Sequence, residues 1–166
     1  MTIDLLKRIG WFLFFALIQV VVLGRIHLFG CATPLLYVWF VILLPRNYPK
    51  WSGLLWSFSM GLIIDIFFNT PGLAAASLTL IGIIQPYFFE IFVPRDSVED
   101  LTPSVRSLGL LKYAYYVSVL VFFYCLVFFS IELFSFFEWP HWANCIIGST
   151  LITLALIFTF ELVRSK

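Results

Sequence analysis

The chain has 166 residues, of which 62% are hydrophobic, 20% aromatic and only 11% charged, with a formal net charge of +1. A mean hydropathy of +1.03, with less than half the roughly 25% charge of a soluble domain, excludes a water-soluble fold. So small a net charge, without a basic patch interleaved with aromatics, also offers no face to nucleic acid.

The length fits one integral membrane domain over residues 1–166. A helix needs about 20 apolar residues to cross the hydrocarbon core, with a range of roughly 17 to 25. Lys7 and Arg8 followed by an apolar run have the form of a secretory signal, and Leu28-Phe29-Gly30-Cys31 has that of a lipoprotein cleavage box. Arg25 and His27 break the apolar stretch before that box, so the segment reads as a first membrane span over residues 9–24. A second span covers residues 26–44 and contains Pro34, which removes a backbone donor and crowds the preceding turn. A re-entrant start that becomes helical after Pro34 is the alternative form of this span.

The third span is residues 51–68, and Asn69-Thr70-Pro71-Gly72 then makes a tight turn, with Pro71 fixing one dihedral and Gly72 accepting an awkward one. The fourth is residues 73–93, kinked at Pro86. The longest polar stretch follows, from Pro94 to Ser107. Within it Val98, Leu101, Val105 and Leu108 recur at near-helical spacing, which suits a short helix on the membrane surface, although Pro103 interrupts the pattern. A solvated connector is the plainer reading of such a charge run. The fifth span, residues 110–137, is longer than a crossing needs, so it tilts or projects beyond the bilayer. Residues 138–142 read as an interfacial turn anchored by Trp139 and Trp142. The sixth span is residues 143–163. The expected fold is an all-α membrane protein of six transmembrane helices.

The basic residues orient this arrangement. Lys7, Arg8, Arg46, Lys50, Arg95, Arg106, Lys112, Arg164 and Lys166 fall on one side of six spans, and Arg25 alone falls on the other. Cytoplasmic loops collect Lys and Arg, so both termini are expected in the cytoplasm. Arg46, Arg95 and Arg106 mark the cytoplasmic loops, and the loop after the fourth span is the largest handle for a partner.

The third span carries the sharpest pattern: Gly53, Ser57, Gly61 and Asp65 are spaced four apart. Four residues advance a helix by about 400°, so these positions form one slowly drifting stripe. Small residues at that spacing admit another helix closely, and Asp65 therefore faces protein. Three roles stand open for it: satisfying the amides at the helix start after Pro71-Gly72, binding a partner or ligand, or carrying protons. Transport needs titratable groups across the membrane, and Glu90 and Glu132 are the further acidic candidates considered within spans.

Other patterns are blander. Ala75, Thr79, Gly82 and Pro86 share one side of the fourth span, and Asn144, Gly148, Ala155 and Thr159 one side of the sixth; both read as helix-packing faces. Tyr113, Tyr116 and Tyr124 on the fifth read as anchors or packing, with a lipid-binding groove as the alternative. Cys31, Cys125 and Cys145 are scattered among apolar residues, which fits neither a disulfide framework nor a metal site. No H-E-x-x-H pattern, nucleophile–base pair or phosphate-cradling loop occurs, so no catalytic residue and no cofactor are expected.

Pro45-Arg46, Gly53, Gly61-Leu62-Ile63-Ile64-Asp65 and Pro71-Gly72-Leu73-Ala74-Ala75 together resemble the rod shape-determining protein MreD family. In that family a basic turn precedes a span ending in G-L-x-x-D, followed by a Gly-containing turn and a small-residue helix start. The resemblance implies a fold similar to the substrate-binding subunits of energy-coupling-factor transporters. It implies a non-catalytic inner-membrane component of the bacterial cell-elongation machinery. Its implied partners are MreC and, alongside it, the MreB filament, a SEDS glycosyltransferase and a penicillin-binding transpeptidase. Gly53, Ser57, Gly61, Asp65, Pro71 and Gly72 are then the centre of a partner-binding or structural site. A vitamin-binding subunit of an importer is the rival reading, with Asp65, Asn69, His141 and Asn144 near its outer pocket. A lipid-handling protein presenting a polyprenyl carrier is a third.

Overall fold

Apolar runs that lack water must satisfy their backbone internally, and helices do this within each segment. The computed structural model describes residues 2–25, 33–93, 101–132 and 139–165, and all regular structure among them is helical. α1 spans Thr2–Val21 and passes into a 3₁₀ turn at Leu23–Arg25; α2 spans Val38–Ile42, α3 Lys50–Phe68 and α4 Leu73–Phe92. α5 spans Val105–Leu108, α6 Leu110–Glu132 and α7 Trp139–Ser165.

Four of these helices, α3, α4, α6 and α7, are long and apolar enough to cross a membrane. α1 is as long as α4, but Asp4, Lys7 and Arg8 crowd its first turns. α3 and α4 form a tight hairpin; α4 packs on α6, α6 on α7, and α1 on α3. α2 lies among α1, α3, α4 and α6. The outward faces are strongly apolar, with Trp51 86% and Leu111 82% exposed. Contiguous apolar surface of this kind belongs against lipid or protein.

Several boundaries differ from those read in the sequence. The second span is not a continuous helix: within residues 33–44 only Val38–Ile42 is helical, because Pro34 cannot donate and the chain before α2 follows an irregular path. Residues 26–32, including His27 and Cys31, lie outside the described residues, as do residues 133–137 of the fifth span, whose helix is described to Glu132. Trp139-Pro140-His141-Trp142 is not a turn but the first turn of α7, where a proline's missing N–H costs nothing. The surface helix after the fourth span is confined to α5, beyond Pro103, with Ser104 accepting from the Ser107 amide and Ser107 answering in a reciprocal cap. The charged residues 94–100, Arg95 among them, lie outside the described residues.

The face assigned to the sixth span is also corrected. Asn144, Ala155 and Thr159 are exposed. The buried stripe of α7 is instead Cys145, Ser149, Thr153, Ile157 and Glu161, each at most 2% exposed.

Candidate functional site

The first element of the site is the α3–α4 turn. Asn69 and Gly72 adopt left-handed backbone at φ 56° and 79°, which brings the chain round within four residues. Gly72 precedes α4 and carries no side chain to cap it, so the cap comes from the preceding helix. Asp65, 7% exposed, takes the Ala74 amide on Oδ1 at 2.8 Å and the Ala75 amide on Oδ2 at 2.9 Å. Thr70 Oγ1 donates to Oδ1 at 2.8 Å. A carboxylate held by the free amides of a helix start gains from both hydrogen bonding and the helix dipole.

The stripe before Asp65 is packed within the chain. A Cβ on Gly61 would lie 2.4 Å from the Ala75 Cα, and one on Gly82 would lie 2.6 Å from Ser57 Oγ. Ser57 Oγ donates to the Gly53 carbonyl at 2.8 Å. Gly53 has more room, its nearest neighbour being Leu44 at 3.5 Å from a built Cβ. Gly53, Ser57, Gly61 and Asp65 thus all face inward, and Pro71 and Gly72 stand exposed in the turn.

The second element is the segment around α2, with Leu35 to Ile42 each at most 5% exposed. Buried backbone outside a regular helix must find other partners. The Thr33 amide donates to Ser149 Oγ at 3.1 Å and the Leu35 amide to Thr153 Oγ1 at 3.0 Å, both on α7. Gln19 of α1 uses both ends of its amide: Oε1 accepts from the Leu36 amide at 3.2 Å and Nε2 donates to the Pro34 carbonyl at 2.8 Å. At the other end, Gln85 Nε2 of α4 donates to the carbonyls of Ile42 and Leu44 at 3.4 and 3.2 Å and lies 3.1 Å from the Tyr116 hydroxyl. Tyr113, Tyr116 and Tyr124 of α6 are core residues, whereas Tyr115 is exposed: Tyr113 accepts from Trp39 Nε1 at 3.1 Å, and Tyr124 shares a hydrogen bond with Tyr37.

The two ends of the bundle differ. At one end Arg8 lies over the Tyr48 ring at 3.9 Å, the Arg46 amide bonds to the Leu101 carbonyl at 3.1 Å, and Lys50 lies over Tyr87 at 4.4 Å. Glu161 accepts from the Val105 amide at 3.1 Å there and lies 3.7 Å from Arg164, and Arg106 is exposed on α5. At the other end a cavity of about 200 Å³ is lined by Gln19, Thr33, Tyr37, Phe68, Thr70 and Glu132, among others. Asp65 is close to this second end; Glu90 is exposed on α4.

Sequence reasoning passed over Gln19, Gln85, Ser149, Thr153 and Glu161. The available signal was a set of isolated polar residues inside apolar spans, with Ser149, Thr153 and Glu161 in one helical register. Among the described residues no three His, Cys, Asp or Glu side chains gather to hold a metal. The polar groups around α2 are engaged with backbone, and their chemistry is that of support. No protein-family model, no curated protein and no solved structure matches this chain.

Proposed function

We propose that this protein is a non-catalytic scaffold of the bacterial inner membrane, a subunit of the rod or elongation complex. In this reading it binds MreC and supports lateral peptidoglycan synthesis and cell shape, together with MreB, a SEDS glycosyltransferase and a penicillin-binding transpeptidase. The observation that carries it is the placement of the MreD-like residues. Gly61 and Asp65 sit where α3 meets the start of α4 in close contact, so the family-like motif marks a tightly packed joint of the bundle. Six passes with both termini cytoplasmic accord with Arg8, Arg46, Lys50 and Arg164 lying at one end of the bundle. They accord also with residues 33–44, whose Thr33 lines the cavity at one end and whose Leu44 lines a groove at the other.

The test is depletion. Loss of the protein is expected to round the cells, and MreC is expected to co-purify with the tagged protein from detergent. Rods of normal width and length after depletion overturn the proposal.

The importer reading draws on the 200 Å³ cavity. Ligand pockets commonly occupy about 300–1,000 Å³ and present convergent polar groups. Here Gln19, the Thr33 amide, Tyr37 and Thr70 already bond within the chain. A scaffold therefore fits the polar inventory better. A small metabolite retained at one per chain in native mass spectrometry reverses that preference.

A further inference from the structure

We infer that the basic end of the bundle holds the phosphate headgroup of an anionic phospholipid, in a groove between α1, α2 and the end of α7. The groove has a volume of about 220 Å³. Its floor is aromatic, with Phe15 and Trp39 in the core, and its cations are Lys7, Arg8 and Arg164, against one lining carboxylate, Asp4.

The guanidinium of Arg8 is central to this groove. It stacks on Tyr48, and its Nη1 is shielded from solvent with no hydrogen-bond acceptor. A guanidinium carries five N–H donors in a planar fork that matches phosphate oxygens. Nη1 itself is out of a ligand's reach, but Arg8 is only half-buried and lines the groove, so the fork has other donors to offer an acceptor there. Arg164 lies 3.7 Å from Glu161, whose other oxygen takes the Val105 amide, so its fork retains donors for a second acceptor.

The apolar half of the ligand follows from an adjoining groove. It measures about 320 Å³ and is lined by Lys7, Gly10, Trp11 and Phe14, so the two share Lys7 and Trp11. Nothing lies within 4 Å of a Cβ built on Gly10, which leaves the surface of α1 open beside these rings. Trp11 and Phe14 are 48% and 45% exposed. A cationic groove continuous with an exposed aromatic one on a membrane-facing helix suits a phosphate with a hydrocarbon chain attached. A soluble phosphate compound would use only the first. This inference does not depend on MreC binding.

The test is native mass spectrometry of the detergent-solubilised full chain titrated with phosphatidylglycerol, phosphatidylcholine or glycerol 3-phosphate. One phosphatidylglycerol is expected to be retained per chain, with phosphatidylcholine and glycerol 3-phosphate not retained at the same concentration. Loss of one charge-assisted hydrogen bond to a phosphate lowers affinity about tenfold. Arg8→Gln and Lys7→Gln are therefore each expected to lower occupancy by about that factor. Lys112→Gln removes an exposed cation of α6 outside the groove and is expected to leave occupancy unchanged. Lys7 is exposed, so Lys7→Gln carries the test alone if Arg8→Gln does not fold. Equal retention of phosphatidylcholine overturns the inference. So does an equal loss in Lys112→Gln, which assigns the attraction to diffuse surface charge. Retention of glycerol 3-phosphate matching that of the lipid overturns it in favour of a soluble ligand.

Discussion

Asp65 and Gly61 fix one joint by opposite means, one by attraction and one by absence of bulk. Asp65→Ala leaves the amides of Ala74 and Ala75 without their acceptor. A buried donor stripped of its partner costs about 1–3 kcal/mol, and that loss of stability is expected in reversible unfolding in mixed micelles. Gly61→Ala drives a methyl group into the α4 backbone at Ala75. Overpacking of this kind costs about 1–3 kcal/mol, and the same assay is expected to read it. Gly53→Ala meets only ordinary contacts, and removing a helix-interior glycine gains up to about 1 kcal/mol. It is expected to be neutral or stabilising. If Gly53→Ala and Gly61→Ala lose stability equally, close approach at Gly61 is not what the glycine provides. The stripe was legible because Gly, Ser and Asp are conspicuous at four-residue spacing in an apolar helix. Its direction was legible too. That Asp65 caps the helix after the turn became one reading among three because spacing alone does not say where a carboxylate reaches.

Elements differ in how openly the sequence announces them. α3 and α4 were readable nearly to their ends, since Pro49 precedes the first helix and Asn69 to Gly72 separate the two. α2 was not, because its support comes from single polar residues on three other helices, each unremarkable in its own segment. Pro34 signalled an interruption without naming what replaces the lost helical bonds. Gln19 replaces two of them at once. Gln19→Leu keeps the volume and removes both. Faster amide hydrogen exchange is expected at residues 35–37, with protection at Ala74 and Ala75 unaltered. Unaltered exchange at Leu36 refutes the assigned role of Gln19. Glu161 escaped notice for a related reason: it lies near the end of the sixth span, where a carboxylate reads as interfacial, yet it is 2% exposed and occupied by the α5 amide.

At the scale of the molecule, helicity and membrane character were legible from composition, since 11% charge and long apolar runs leave few other folds. Four helices have the length and hydropathy to cross. The two further passes proposed rest on α1, whose first turns are charged, and on an unwound segment, neither of which resembles an uninterrupted apolar helix. Sidedness is testable in a chain whose three native cysteines are replaced by alanine. Pro71→Cys and Thr102→Cys occupy exposed positions at opposite ends of the bundle. In the proposed orientation, an impermeant maleimide applied from the periplasmic side is expected to label Pro71→Cys in intact cells and to reach Thr102→Cys only after lysis. Labelling of both from one side refutes the two-ended arrangement.

The amides of Thr33 and Leu35 are answered by hydroxyls 116 and 118 positions further along the chain. A ribosome delivers the early half of this protein long before its last helix exists. Until then those amides have no native acceptor on α7 and must be shielded by water, lipid headgroups or an insertion chaperone. The segment before α2 therefore completes its native hydrogen bonding only when the final helix arrives.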